Sequence, residues 1–149
     1  MLAYLELLEA VRGALEERFP GEQYYMDRVP TDFARPSFLL EGGPVELEDA
    51  GCGCLWVKAV VKVTAFVAVD EYHNSHVSEL VRRMAAVQEL FAAEGLRVGD
   101  RVLHIVKNTG TYQFDYAEIQ LTFQYQDDRP GAGEWPLMGE VNVRTRGPG

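Results

Sequence analysis

Apolar and polar residues alternate most strictly between Leu55 and Asp70, LWVKAVVKVTAFVAVD, where every odd position from Leu55 to Val69 is apolar. Side chains alternate faces along a strand, so this pattern predicts a long strand with one face wholly buried. Its even positions, among them Trp56, Lys58, Val60, Lys62 and Phe66, form a mixed face. Either a helix covers that face or it is a surface offered to a partner. Helical spacing appears twice. Leu2, Leu5, Leu8, Val11, Leu15 and Phe19 recur at three- and four-residue steps, with Tyr4 and Leu7 widening the stripe and Pro20-Gly21 closing it. Val77, Leu80, Val81, Met84, Val87 and Phe91 trace a second helix, with Asn74 or Ser75 as N-cap, Gly95 as the stop, and Arg82 and Arg83 on its solvated side.

Shorter strands are predicted over 23–29 and 37–40, separated by a turn at Pro30-Thr31-Asp32. Residues 41–54, EGGPVELEDAGCGC, read as a long acidic connection, either a functional loop or the extended tip of a hairpin. Residues 98–107 form another strand that turns at Asn108-Thr109-Gly110 and returns over 111–126. The returning strand contains a conflict of register. Tyr112, Phe114 and Tyr116 share one parity, whereas Ala117, Ile119, Leu121, Phe123 and Tyr125 share the other. One straight strand cannot bury both sets. Either a bulge near Tyr116 resets the register, or the first three aromatics project and are buried on another subunit. The sum is a single α+β domain over 1–126, in the order α-β-β-β-α-β-β, with two helices packed on a mainly antiparallel sheet of about five strands. A Pro/Gly-rich arm over 127–149 follows, whose apolar anchors are Trp135, Leu137 and Met138.

Charge narrows the partners. The net charge is −9, and residues 1–53 alone hold 11 acids against 4 bases. Tight nucleic-acid binding needs a clustered excess of Lys and Arg, so it is not expected here. No apolar run reaches membrane-spanning length, and the N-terminus lacks the basic-then-apolar character of an export signal. The reading is a soluble protein made in a cytoplasm.

Reactive chemistry is sparse. Cys52 and Cys54 are separated by one glycine, too close for ordinary disulfide geometry and too few for a zinc site, so they mark a tight turn. His73 and His76 lack further convergent ligands, and His104 sits mid-strand. The serines, Ser37, Ser75 and Ser78, lie outside any nucleophile elbow, and no phosphate-binding loop is present. No catalytic residue, cofactor or metal site is assigned.

The element order, together with the run Tyr25 to Leu39, YMDRVPTDFARPSFL, resembles the tail terminator family of long-tailed bacteriophages. The likeness lies in a first helix ending at Phe19-Pro20, then Tyr25, Asp27, Phe33, Pro36 and Phe38 in order, and more weakly in Pro136 to Met138. The resemblance implies a structural virion protein at the tail–head junction, assembled in the host cytoplasm. Such a protein forms a ring, a hexamer, that caps the tail tube and meets the head–tail connector or neck protein, while DNA passes through unbound. The related alternative is a neck or completion protein; a small-ligand binding module is a third. On this reading Trp56, Phe66, Tyr112, Phe114, Tyr116, Trp135, Leu137 and Met138 are candidate subunit or tube contacts. Glu46, Glu48 and Asp49 are candidates for a lumen- or tube-facing acidic loop.

Overall fold

A computed structural model describes residues 2–72 and 74–130. Chain order is α1 (Tyr4–Arg18), β1 (Gln23–Met26), β2 (Ser37–Gly51), β3 (Cys54–Phe66), α2 (Val77–Leu90), β4 (Gly95–Val98), β5 (Arg101–Tyr112) and β6 (Ala117–Asp128). These elements build one α+β domain. Its sheet has six strands in the order β1-β2-β3-β6-β5-β4, with β1 parallel to β2 and every other pair antiparallel. The sixth strand is β4, which residues 95–98 form by folding back on the start of β5 through the two-residue turn Gly99-Asp100. Gly99 takes a positive φ of 64°, as the first position of a Gly-X hairpin turn requires.

The central strand carries the expected face. Leu55, Val57, Ala59, Val61, Val63 and Ala65 are all buried, and opposite them β6 contributes Ala117, Ile119, Leu121, Phe123 and Tyr125. Both helices pack on this side, through Leu7, Leu8, Val11 and Leu15 of α1 and Leu80 and Val87 of α2. The strand ends at Phe66, four residues early, and 67–72 and 74–76 are irregular. In α1 the buried stripe is centred on Val11, and Leu5 lies about 100° away around the helix, which leaves it exposed. In α2, Val77 and Val81 are likewise exposed. The N-cap of α2 is His76, not Asn74 or Ser75. That helix stops at Leu90, and Gly95 begins β4.

Residues 41–51 are strand, not loop. Their partner β3 supplies a ladder down to Gly51↔Cys54, and the turn is only Cys52-Gly53. Both turn residues have positive φ, 55° and 76°, the geometry that suits the right-handed twist of a hairpin. The hairpin reading of 41–54 therefore holds, and Cys52 and Cys54 are free thiols beside that turn. The register shifts twice along the way, between Asp49 and Gly51 and, opposite Val60, between Gly42 and Val45. There the Tyr4 hydroxyl reaches in from α1, donating to the Val60 carbonyl and accepting the Gly43 N–H. A side chain on Gly42 would strike the Tyr4 ring. Tyr4→Phe keeps the ring but leaves both backbone groups unpaired, so it is expected to cost about 1–3 kcal/mol in urea unfolding. An unchanged midpoint would show that water replaces the hydroxyl.

Gly13 lies inside α1, and a Cβ there meets nothing within 4 Å. Gly13→Ala is therefore expected to stabilise the protein by about 0.5–1 kcal/mol, read as a raised melting temperature.

Candidate docking surfaces

The apparent conflict of register in the last hairpin disappears once the turn is located. β5 continues through Asn108 and Gly110 to Tyr112, and the chain reverses over residues 113–116, where the Gln113 N–H donates to the Tyr116 carbonyl at 2.7 Å. Asn-Thr-Gly is not a turn. Gly110 is small because the Gln88 amide of α2 lies against it, and Asn108 Nδ2 donates to the Gln88 carbonyl at 3.0 Å. Tyr112 therefore ends one strand, Phe114 and Tyr116 belong to the turn, and Ala117 starts the next strand. The β5 bulge lies between Ile105 and Lys107 instead.

That turn is pinned from behind. Arg35 Nη2 bonds Asp115 Oδ2 at 2.9 Å, and Ser75 Oγ donates to Asp115 Oδ1 at 3.1 Å. Arg35 also donates to the Val67 carbonyl and stands over the Phe33 and Phe66 rings, at 4.9 and 5.2 Å. One guanidinium thus joins the 27–36 loop, the end of β3 and the last hairpin. With Asp115 held inward, Phe114 is left 77% exposed, Tyr112 48% and Tyr116 37%. Phe114 and Tyr116 stand on this held turn, Tyr116 with its ring 6.4 Å from that of Phe66 on the open side, whereas Tyr112, opposite Ala117, belongs to the helical side.

The mixed face of β3 is divided. No helix lies on it, since both helices occupy the other side. Phe66, only 7% exposed, is covered by Phe33, with ring centroids 4.6 Å apart, so this ring is used within the subunit. Trp56 lies 40% exposed at the other end. Between them Lys58, Val60 and Lys62 face outward beside Gln124, Thr122 and Gln120 of β6, and Lys62 pairs with Glu118 at 3.3 Å. This open face is wet and nearly neutral.

Glu46, Glu48 and Asp49 lie on β2, and they do not share a face. Glu46 and Glu48 stand opposite Lys58 and Trp56 on the open side, whereas Asp49 stands opposite Leu55 on the helical side. Asp49 is paired with Arg129 at 2.8 Å, and that contact, with a bond from the Gly51 amide, lowers its carboxyl pKa. Trp135, Leu137 and Met138 lie outside the described residues, as does His73. No cluster of three or more metal-binding side chains occurs among the described residues.

Sequence reasoning missed two positioning residues, Arg35 and Arg83. Arg83 is not solvated: it pairs with Glu22 and lies over the Phe38 ring at 4.2 Å. Arg83 lies three residues after Leu80 and four before Val87, so the spacing already sets it beside the buried stripe; its charge suggested solvent, and nothing local tells that Glu22 and two aromatic rings converge on it.

No family model and no curated protein matches this chain. It is similar in fold to a chain from the virion of a native gene transfer agent particle, at 15% identity and a TM-score of 0.49, covering 82% of this chain and 94% of that one. A second solved chain is also 15% identical, with a TM-score of 0.42, covering 81% and 94%. At these scores the likeness assigns no function.

Proposed function

We propose that this chain is a structural, non-catalytic virion protein, a tail terminator whose ring caps the tail tube and joins it to the neck protein. The observation that carries the reading is that the residues of the resemblance form one built unit. Tyr25 and Phe33 meet edge-on at 6.3 Å, the Ala34 N–H donates to the Tyr25 hydroxyl at 2.9 Å, and Arg35 locks the segment to the last hairpin. Phe38 then enters the core, stacked on Tyr24 at 5.5 Å. This unit holds the turn that exposes Phe114 and Tyr116, and these two aromatics are the apolar contact offered to a tube or neighbouring subunit. Trp56 marks a second contact at the far end of the sheet, and the open face with Glu46 and Glu48 is the surface turned to the lumen or tube.

The test is tube capping. Added to polymerising tail-tube protein, the chain is expected to shorten the tubes seen by electron microscopy, and Phe114→Asp to abolish this without altering the melting temperature. A chain that never caps tubes yet binds the connector is a neck protein. One that remains a monomer in the presence of both has neither role.

A further inference from the structure

The sheet has two unequal open edges. β1 pairs with only Ser37–Leu40 of β2, so among the described residues Glu41 to Ala50 have no strand on their outer side. Among the same residues β4 has none on its outer side either. An open edge displays unpaired N–H and C=O groups and is a template for another strand. α2 obstructs the outer flank of β5 beyond β4 through Gln88 and Asn108. Among the described residues the β2 edge carries no such cover.

Resting on the ring reading above, we propose that the acidic edge of β2 pairs with the β4 edge of a second copy, continuing the sheet from subunit to subunit. The two edges match on both faces. On the open face β2 presents Glu46 and Glu48, and β4 presents Arg97, which shares that face with Val102. None of these three charges is in an ion pair among the described residues. On the helical face β2 presents Val45 and Leu47, 45% and 50% exposed although they flank the buried Ala59 and Val57. Beside β4 on the helical face lies a groove of about 620 Å³ between that strand and α1, walled by Leu5, Ala10 and Val98. Its rim carboxylates are already engaged, Glu6 with the Ala3 amide and Glu9 with Arg12. Val45 and Leu47 of the neighbour fill this groove and cover Leu5.

The same charges select the partner edge. Pairing two β2 edges would set Glu46 and Glu48 of one copy against those of the other, and like charges across a ladder oppose pairing. Pairing β2 with β4 is heterologous: a growing assembly keeps one β2 edge and one β4 edge at its ends, so the contact propagates until those ends meet in a ring.

Sedimentation velocity of the full chain over a concentration series, alone and with tail-tube protein, tests this. Arg97→Glu and the double variant Glu46→Arg/Glu48→Arg are each expected to weaken self-association at least tenfold with an unchanged circular dichroism spectrum, and combining them to restore it. Self-association that survives both reversals overturns the edge pairing and leaves the ring reading intact. Loss in both without restoration overturns the Arg97 contact. A wild-type chain that is monomeric alone and with tube protein overturns the ring and the pairing together.

Discussion

Arg83→Ala is expected to lower the unfolding free energy by about 1–3 kcal/mol, because it leaves the part-buried Glu22 carboxylate without its partner. The Arg83 and Glu22 side chains are only 11% and 17% exposed. Arg83 Nη1 donates to Glu22 Oε2 at 3.1 Å, Nη2 bonds Oε1, and the guanidinium lies over the Phe19 and Phe38 rings. The contact ties α2 to the α1–β1 connection, which otherwise meet through few side chains. Replacing both partners by apolar residues, Arg83→Met with Glu22→Leu, is expected to recover most of the loss, since no charge then remains to be solvated. Chemical denaturation of the three variants measures this. If the single and double variants lost stability equally, packing of the arginine stem would be the source, not the ion pair.

Asp127→Asn is expected to destabilise the protein by about 1.5–3 kcal/mol at neutral pH, and by progressively less as the pH falls. Asp127 Oδ2 accepts the Leu2 N–H at 2.7 Å, Oδ1 accepts the Asp128 N–H at 2.9 Å, and Arg101 Nη1 lies 3.1 Å from Oδ1. Burial acts to raise this carboxyl pKa, but the two amides and the guanidinium outweigh it and hold it below 3.8. A group with a depressed folded pKa contributes its stability above the unfolded value, and that contribution is lost as the pH falls through the folded one. The wild-type advantage is therefore full at neutral pH and disappears in the acid range below 3.8. Melting curves from neutral to strongly acidic pH check it, and a gap between the two proteins that did not close with acid would remove the carboxylate as its cause.

Local pattern made some of this visible. The alternation over 55–65 is decided by residue type alone, because a strand with one all-apolar face has a single way to lie on a core. The helices were legible for the same reason, though only their inner stripes: Leu5, Val77 and Val81 fit the spacing and still face outward. The run 41–54 left loop and hairpin open, and its glycines turn out to serve the hairpin in two ways. Gly42 and Gly43 are small to admit Tyr4 and Val60, while Gly51 and Gly53 supply positive φ at the hairpin end. Asn108-Thr109-Gly110 misled, since its glycine answers to Gln88, 22 residues away.

The candidate surfaces divide in the same way. Aromatic residues at 112, 114 and 116 were suspicious from parity alone, and their exposure bears out that they do not enter the core. Which β3 residues are open was beyond local reasoning. Trp56 and Phe66 have the same parity on one strand, yet only Phe66 has a loop folded over it. Composition and periodicity determined the elements, the buried face and the absence of a catalytic motif, because each of these depends on residues near in sequence. Tertiary structure alone decided the open edges of β2 and β4, the turn that raises Phe114, and the partners that engage Arg35 and Arg83. Each of those depends on which distant backbone or ring arrives beside a residue, and no local spacing encodes that.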